Sequence, residues 1–191
     1  MAVPVVSTFD TDLDGWTGGF EGGISWGSSG GDPGGYVDFN DPGIGTFTWL
    51  YAPAKFLGDW SALNGVGFIE FDHKIFSQAS DDYCNYEVMI EGAGHTPAWI
   101  GPLALGPVDW WTLSVPLIST EWGVSPGHWA DVLSDVTKLA IGIETVFVDV
   151  GDDPLDHDGI DNVRLTPEPT TFSVLALGGL ALLRRRSTIR L

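Results

Sequence analysis

Carboxylates, tryptophans and histidines are the side chains of this 191-residue chain that could do chemistry. Paired carboxylates serve as acid and base in glycoside hydrolysis, and Glu70, Glu87, Glu91 and Glu144 are the candidates. Glu87 and Glu91 share a face of one strand, but four residues of strand span about 13 Å, too far for either glycosidase geometry unless another strand helps. Asp10, Asp12 and Asp14 alternate as ligands of a hard cation would. They lack the glycine and the closing glutamate of an EF-hand loop, so that motif is excluded. His73, His95, His128 and His157 are scattered without metal-ligand spacing. No glycine loop leads into Lys-Ser/Thr. Cys84, the single cysteine, has no CxxC partner and reads as a buried or loop thiol.

The nine tryptophans offer a different chemistry. An exposed ring face stacks on the apolar face of a sugar, while a carboxylate or amide fixes its orientation. Trp110 lies opposite the apolar set of its own strand, and Trp99, Trp60 and Trp122 fall in or near turns. Trp16, Trp49 and Trp111 read as core filler. For Trp99 and Trp110 both readings, platform and core, stay open.

These residues need a scaffold, and period-two alternation supplies one. Tyr36–Phe39, Thr46–Tyr51, Phe68–Phe76, Trp110–Leu117, Lys138–Phe147 and Ile160–Leu165 all alternate as half-buried strands do. Ile69, Phe71, His73 and Ile75 share one face, as do Trp111, Leu113, Val115 and Leu117. Phe47, Trp49 and Tyr51 also share a face, and Ile160, Asn162 and Arg164 oppose Asp161, Val163 and Leu165. Gly/Pro/Asp clusters separate the runs. One short helix is expected over Trp129–Val136, after Pro126. Many short strands and one helix in about 165 residues argue for an all-β, two-sheet antiparallel sandwich.

Charge divides the chain. Residues 1–166 hold Lys55, Lys74, Lys138 and Arg164 against 25 of the 26 acids, a net charge of −21. Such a field repels nucleic acid and anionic lipid and draws cations. Residues 167–191 differ: Pro167-Glu168-Pro169 breaks regular structure, Phe172 to Leu183 carries no charge, and Arg184, Arg185 and Arg186 follow. An apolar run this short reaches only about 20 Å as a helix, and the arginines belong on the cytoplasmic side of a membrane.

Pro-Glu-Pro, an apolar segment with Gly178-Gly179, and the arginine cluster resemble the PEP-CTERM sorting signal. That resemblance implies a bacterial protein, export, transient membrane retention through a short hydrophobic helix, and processing near Pro167-Glu168-Pro169 by an exosortase-type membrane protease. Export needs an N-terminal signal. Ala2-Val3-Pro4 reads as the start of a mature domain, so that signal is expected upstream of Met1.

The body resembles a second family. Phe9-Asp10-Thr11-Asp12 with Gly15-Trp16, then Gly30 to Tyr36, then Ala52-Pro53-Ala54-Lys55-Phe56-Leu57-Gly58-Asp59, and finally Gly159 to Leu165 are similar to the laminin IV type A (laminin B) domain of exported bacterial proteins. Trp60 and Leu63-Asn64-Gly65 depart from its pattern. The resemblance covers about residues 7–166 and implies a jelly-roll sandwich related to carbohydrate-binding modules, without catalytic activity. It also implies a structural Ca2+ pinning the first strand to the last, with Asp10 and Asp161 as carboxylate ligands and carbonyls of Asp32 to Gly35 completing the shell; the alternative is that Asp161 hydrogen-bonds a turn. The expected protein is thus residues 1–166, a non-catalytic glycan-binding or matrix module, with residues 167–191 as sorting tail. Its expected partners are an extracellular glycan, the sorting protease and, transiently, a membrane. A polysaccharide-active enzyme on the same scaffold is the alternative.

Overall fold

The computed structural model describes residues 4–19, 23–41, 47–77, 83–105, 108–146 and 156–167. The strands are β1 (Val5–Ser7), β2 (Thr17–Gly19), β3 (Gly23–Gly31), β4 (Gly34–Asp41), β5 (Thr48–Tyr51), β6 (Gly67–Ser77), β7 (Tyr83–Gly92), β8 (Ala98–Ile100), β9 (Ala104–Leu105) and β10 (Val108–Pro116). Helix α1 (Pro126–Ser134), β11 (Val136–Val146) and β12 (Asp156–Pro167) complete the set. Two six-stranded sheets result, and every pairing among the described residues is antiparallel. The first runs β10-β6-β12-β4-β3, with β1 also on β12. The second runs β2-β5-β11-β7-β8, with β9 also on β7. This is the two-sheet antiparallel sandwich expected from the alternation and the jelly roll implied by the laminin IV resemblance, with one short α-helix among the described residues.

The inner faces follow the period-two reading in most strands. Ile69, Phe71, His73 and Ile75 of β6 are buried, as are Leu113, Val115 and Leu117, while Trp111 is half-buried. In the second sheet Leu139, Ile141 and Ile143 meet Cys84, Tyr86, Val88 and Ile90 in the core. Trp60 and Trp122, expected near turns, are buried there too, their indole N–H groups donating to Phe56 O (3.0 Å) and Pro116 O (2.8 Å).

Two strands depart from expectation. The faces of β5 are inverted: Thr48 and Leu50 point inward, so Trp49 and Tyr51 point out. In β12 the register shifts between Asp161 and Arg164, with Asn162 at φ 50°, a β-bulge that changes the phase of alternation. Ile160, Val163 and Leu165 all reach the core as a result. The helix begins at Pro126 rather than Trp129. Proline suits the first helical position, and Ser125 caps the helix by accepting the His128 N–H. Val136 belongs to β11.

One polar bridge crosses the core. His73 Nδ1 of the first sheet lies 2.8 Å from the Tyr86 hydroxyl of the second, and His73 Nε2 lies 3.4 Å from Asp158 Oδ1. All three residues are buried. Burial raises the Tyr86 hydroxyl well above the ordinary tyrosine range.

Candidate functional site: an aromatic platform and a carboxylate cradle

The inversion of β5 gives the second sheet an outward face that could bind. Register places Gly19, Trp49, Gly142, Glu87 and Ile100 in one row across β2, β5, β11, β7 and β8. The next row holds Thr17, Tyr51, Ala140, Met89 and Ala98. The six-membered ring of Trp49 lies over Gly142: a Cβ there would be 2.9 Å from Trp49 Cζ3 and 3.0 Å from Phe47 Cδ1. The glycine therefore lets the indole settle onto the sheet. Phe47 supports it, ring centroids 5.4 Å apart and tilted by 42°. Tyr51 lies over Gly19 in the same way and carries Lys138 Nζ 5.0 Å from its ring centroid. Across Gly142 stands Glu87, whose carboxyl is raised by desolvation. Ile100 beyond it is 68% exposed. A half-buried indole with a carboxylate about two strand spacings away, roughly 10 Å, can stack a sugar ring and orient its hydroxyls.

The tryptophans singled out from sequence are placed otherwise. Trp99 is in the core: it pairs with Val88, whose side chain points inward, and period-two geometry sends Trp99 the same way. It lines a small open cavity with Pro102 and Trp111. Trp110 is on the outward face of the first sheet, as expected, but in a self-packed cluster. Its N–H donates to Gly30 O (2.9 Å), and its ring meets Tyr36 and Phe76 edge-to-face at 5.9 and 6.0 Å. Lys74 Nζ, paired with Asp109, sits over both Phe76 and Trp110. The aromatics of β5 were the missed signal. Their shared face was legible, and their bulk argued for the wrong side.

Asp161 sits where β12 changes partner. β4 runs beside residues 156–160 and β1 beside 163–165, so the segments that end β1 and begin β4 converge on the bulge. Asp161 is completely buried and accepts the N–H groups of Asp32 and Asn162, both at 2.6 Å. The β3–β4 turn has no room for side chains here. A Cβ on Gly31 would be 2.7 Å from Asp161 Oδ2, on Gly34 (φ +99°) 2.3 Å from Asp10 Oδ1, and on Gly35 2.3 Å from Phe9 O. Asp10, 151 positions from Asp161, is thus brought to the same turn. Desolvation pushes the Asp161 carboxyl up to about 6. The amides of Asp32 and Asn162 oppose the shift, and the charges of Asp72 and Asp10 add to it.

No family model matches the chain, and no curated protein does. Solved structures do. The family 30 carbohydrate-binding module of a Clostridium thermocellum cellulosomal cellulase superposes with TM-score 0.55 at 14% identity, covering 87% of this chain and 99% of that one. A xylan-binding domain of family 22 gives 0.53 at 15%, covering 87% and 96%. The family 11 module of Clostridium thermocellum, solved with a β-1,3-1,4-mixed-linked tetrasaccharide, gives 0.53 at 12%, covering 88% and 98%. The fold is that of the carbohydrate-binding modules.

On this jelly roll the cradle can be tested for a hard cation. Its carboxylates are those of Asp10, which accepts the Thr8 hydroxyl (2.7 Å), and Asp161, which accepts two backbone N–H groups; the nearby Phe9 O accepts the Trp26 indole N–H (2.7 Å). Among the described residues no cluster of three or more His, Cys, Asp or Glu could hold a metal. The donor set suits an ion that accepts carbonyl oxygens, as Ca2+ does, and not one that needs imidazole or thiolate. Asp12 and Asp14 are committed elsewhere. Asp12 accepts the Asp14 N–H (2.6 Å), and Asp14 accepts Ser7 Oγ (2.8 Å) and pairs with Lys55. Glu70 accepts the Thr166 hydroxyl (3.2 Å) and neighbours Arg164, while Glu144 stands diagonal to Glu87 on the adjacent strand. No helix among the described residues is long and apolar enough to cross a membrane. The sorting-signal residues Glu168, Pro169, Arg184, Arg185 and Arg186 lie outside the described residues.

Proposed function

We propose that this chain is an exported, non-catalytic glycan-binding module, held together by a structural Ca2+ and delivered by its C-terminal sorting tail. The observation that carries the reading is the outward Trp49 ring seated on Gly142 with Glu87 across the same row. Support comes from the scaffold, since the superposed modules include a xylan-binding domain and one solved with a mixed-linkage tetrasaccharide. Glu87, Glu91 and Glu144 share the outward face with Lys138, and the body carries −21, so the ligand is an uncharged polysaccharide rather than a uronate or sulfated one. Asp10 and Asp161, with Phe9 O and carbonyls of the Gly31–Gly35 turn, would hold the calcium and tie β1 and β4 to β12. The laminin IV type A-like segments and the Pro167-Glu168-Pro169 tail support delivery to the cell surface of a bacterium through an exosortase-type protease.

The test is affinity electrophoresis against xylan, mixed-linkage glucan and an acidic polysaccharide. Retardation by a neutral glycan, lost in Trp49→Ala and kept in Trp110→Ala, is expected. Binding unaffected by Trp49→Ala, or confined to acidic glycans, overturns the site.

A further inference from the structure

Two histidines 33 positions apart meet at the far end of β7. The imidazoles of His95 and His128 are stacked, centroids 4.5 Å apart and planes 25° from parallel. Each stands on a fixed element. His95 closes the hairpin after β7, exchanging both backbone hydrogen bonds with Gly92 (2.9 and 3.0 Å) around a turn with Ala93 at φ 50° and Gly94 at φ +76°. That pair of positive angles is the tight turn whose twist matches the strands. His128 is the third residue of α1, a helix anchored by buried Trp129, Val132 and Leu133. Helix and hairpin are pressed together at Gly92, where a Cβ would lie 2.5 Å from Val132 O and 2.7 Å from Asp135 O. The fold therefore brings the two side chains together. His128 is exposed and His95 half-buried, so solvent reaches both rings.

The neutral ring is the form whose nitrogen lone pair binds a metal. Two imidazole nitrogens on one ion, each at about 2.0–2.1 Å, lie roughly 3–4 Å apart. Stacked rings hold their nitrogen lone pairs in nearly parallel planes, so the imidazoles must turn out of the stack about their side-chain bonds to bring one nitrogen of each onto a shared ion. Around them is a body of strongly negative charge that concentrates cations.

We propose that His95 and His128 form a surface chelate for a divalent transition metal ion of the Zn2+ or Cu2+ kind, with water in the remaining positions. It is separate from the oxygen cradle at Asp10 and Asp161 in both place and donor chemistry. Imidazole suits Zn2+, Cu2+ and Ni2+, whereas carboxylate and carbonyl suit Ca2+. Calorimetric titration of the untagged full-length chain with Zn2+, in excess Ca2+ to occupy the cradle, should find one ion per chain. His95→Gln and His128→Gln should each weaken it about tenfold or more, and His157→Gln should leave it unchanged. Cu2+ should bind more tightly than Zn2+. Its electron paramagnetic resonance spectrum on the unaltered chain should show two nitrogen ligands, which tests the site even if a variant folds poorly. No uptake of either ion, Zn2+ affinity indifferent to His95→Gln or His128→Gln, or a Cu2+ spectrum without two nitrogens overturns the chelate.

Discussion

Melting curves in chelator and in excess calcium, taken from acid to neutral pH, read the charge on Asp161. Without the ion its carboxyl is pushed up to about 6 from an ordinary 3.8, first by burial. A group whose folded pKa lies above its unfolded value holds its proton more tightly in the folded state. Its contribution to stability is full below the unfolded value and is lost as pH rises through the folded one. Between 3.8 and about 6 that loss is about 3 kcal/mol, at ~1.4 kcal/mol per pH unit of separation. Calcium bound there as proposed would take the ionised carboxylate and so offset the loss where the loss is greatest. At about a hundred times its dissociation constant it adds roughly 2.7 kcal/mol, or about 5–10 °C in a chain of this length. The chelated protein should therefore lose melting temperature across the acid window, and the gap between the calcium and chelator curves should widen toward neutral pH. Other carboxylates titrate in the same window, so Asp161→Asn isolates the effect: it should flatten the difference and remove most of the calcium shift. Magnesium should substitute poorly, being smaller and slow to give up water. A calcium shift equal at acid and neutral pH, or one that survives Asp161→Asn, would refute the assignment of both ion and charge to this residue.

Other outcomes follow from named contacts. Gly34→Ala forces a side chain toward Asp10 Oδ1 at φ +99° and should cost about 1–3 kcal/mol while abolishing the calcium shift, read in the same melting assay. Tyr86→Phe leaves His73 Nδ1 without its 2.8 Å partner in the core and should cost about 1–3 kcal/mol by denaturant unfolding; a neutral result would show that the bridge contributes nothing. Intact-mass measurement on protein from the native envelope should find a species lacking Arg184, Arg185 and Arg186, and recovery of only the full chain from the cytosol would count against tail processing.

Much of the fold was legible because alternation is a local property. Phe68–Phe76 and Lys138–Phe147 declare which residues share a face, and those sets are the ones that pack together. Local pattern cannot say which face turns inward when both are apolar. Phe47, Trp49 and Tyr51 outweigh Thr48 and Leu50 in bulk, yet Leu50 is the one opposite Ile141 in the core. Only the second sheet's assembly decided that, and with it the platform. The bulge at Asp161–Asn162 escaped the sequence for the same reason, since a one-residue insertion is defined by the partner strand. β3, rich in glycine and serine, alternates only at Ile24 and Trp26 and becomes a strand through its pairing with β4. Spacing along the chain says nothing about sites assembled across it. His95 and His128 look unrelated until a hairpin and a helix dock. Asp10 and Asp161 reach the same turn because β1 and β4 share one edge of β12. Composition fixed the acidity and the missing disulfide, because these need no neighbours. Every binding geometry had to wait for the sheets, because it depends on residues that only tertiary contacts bring within reach.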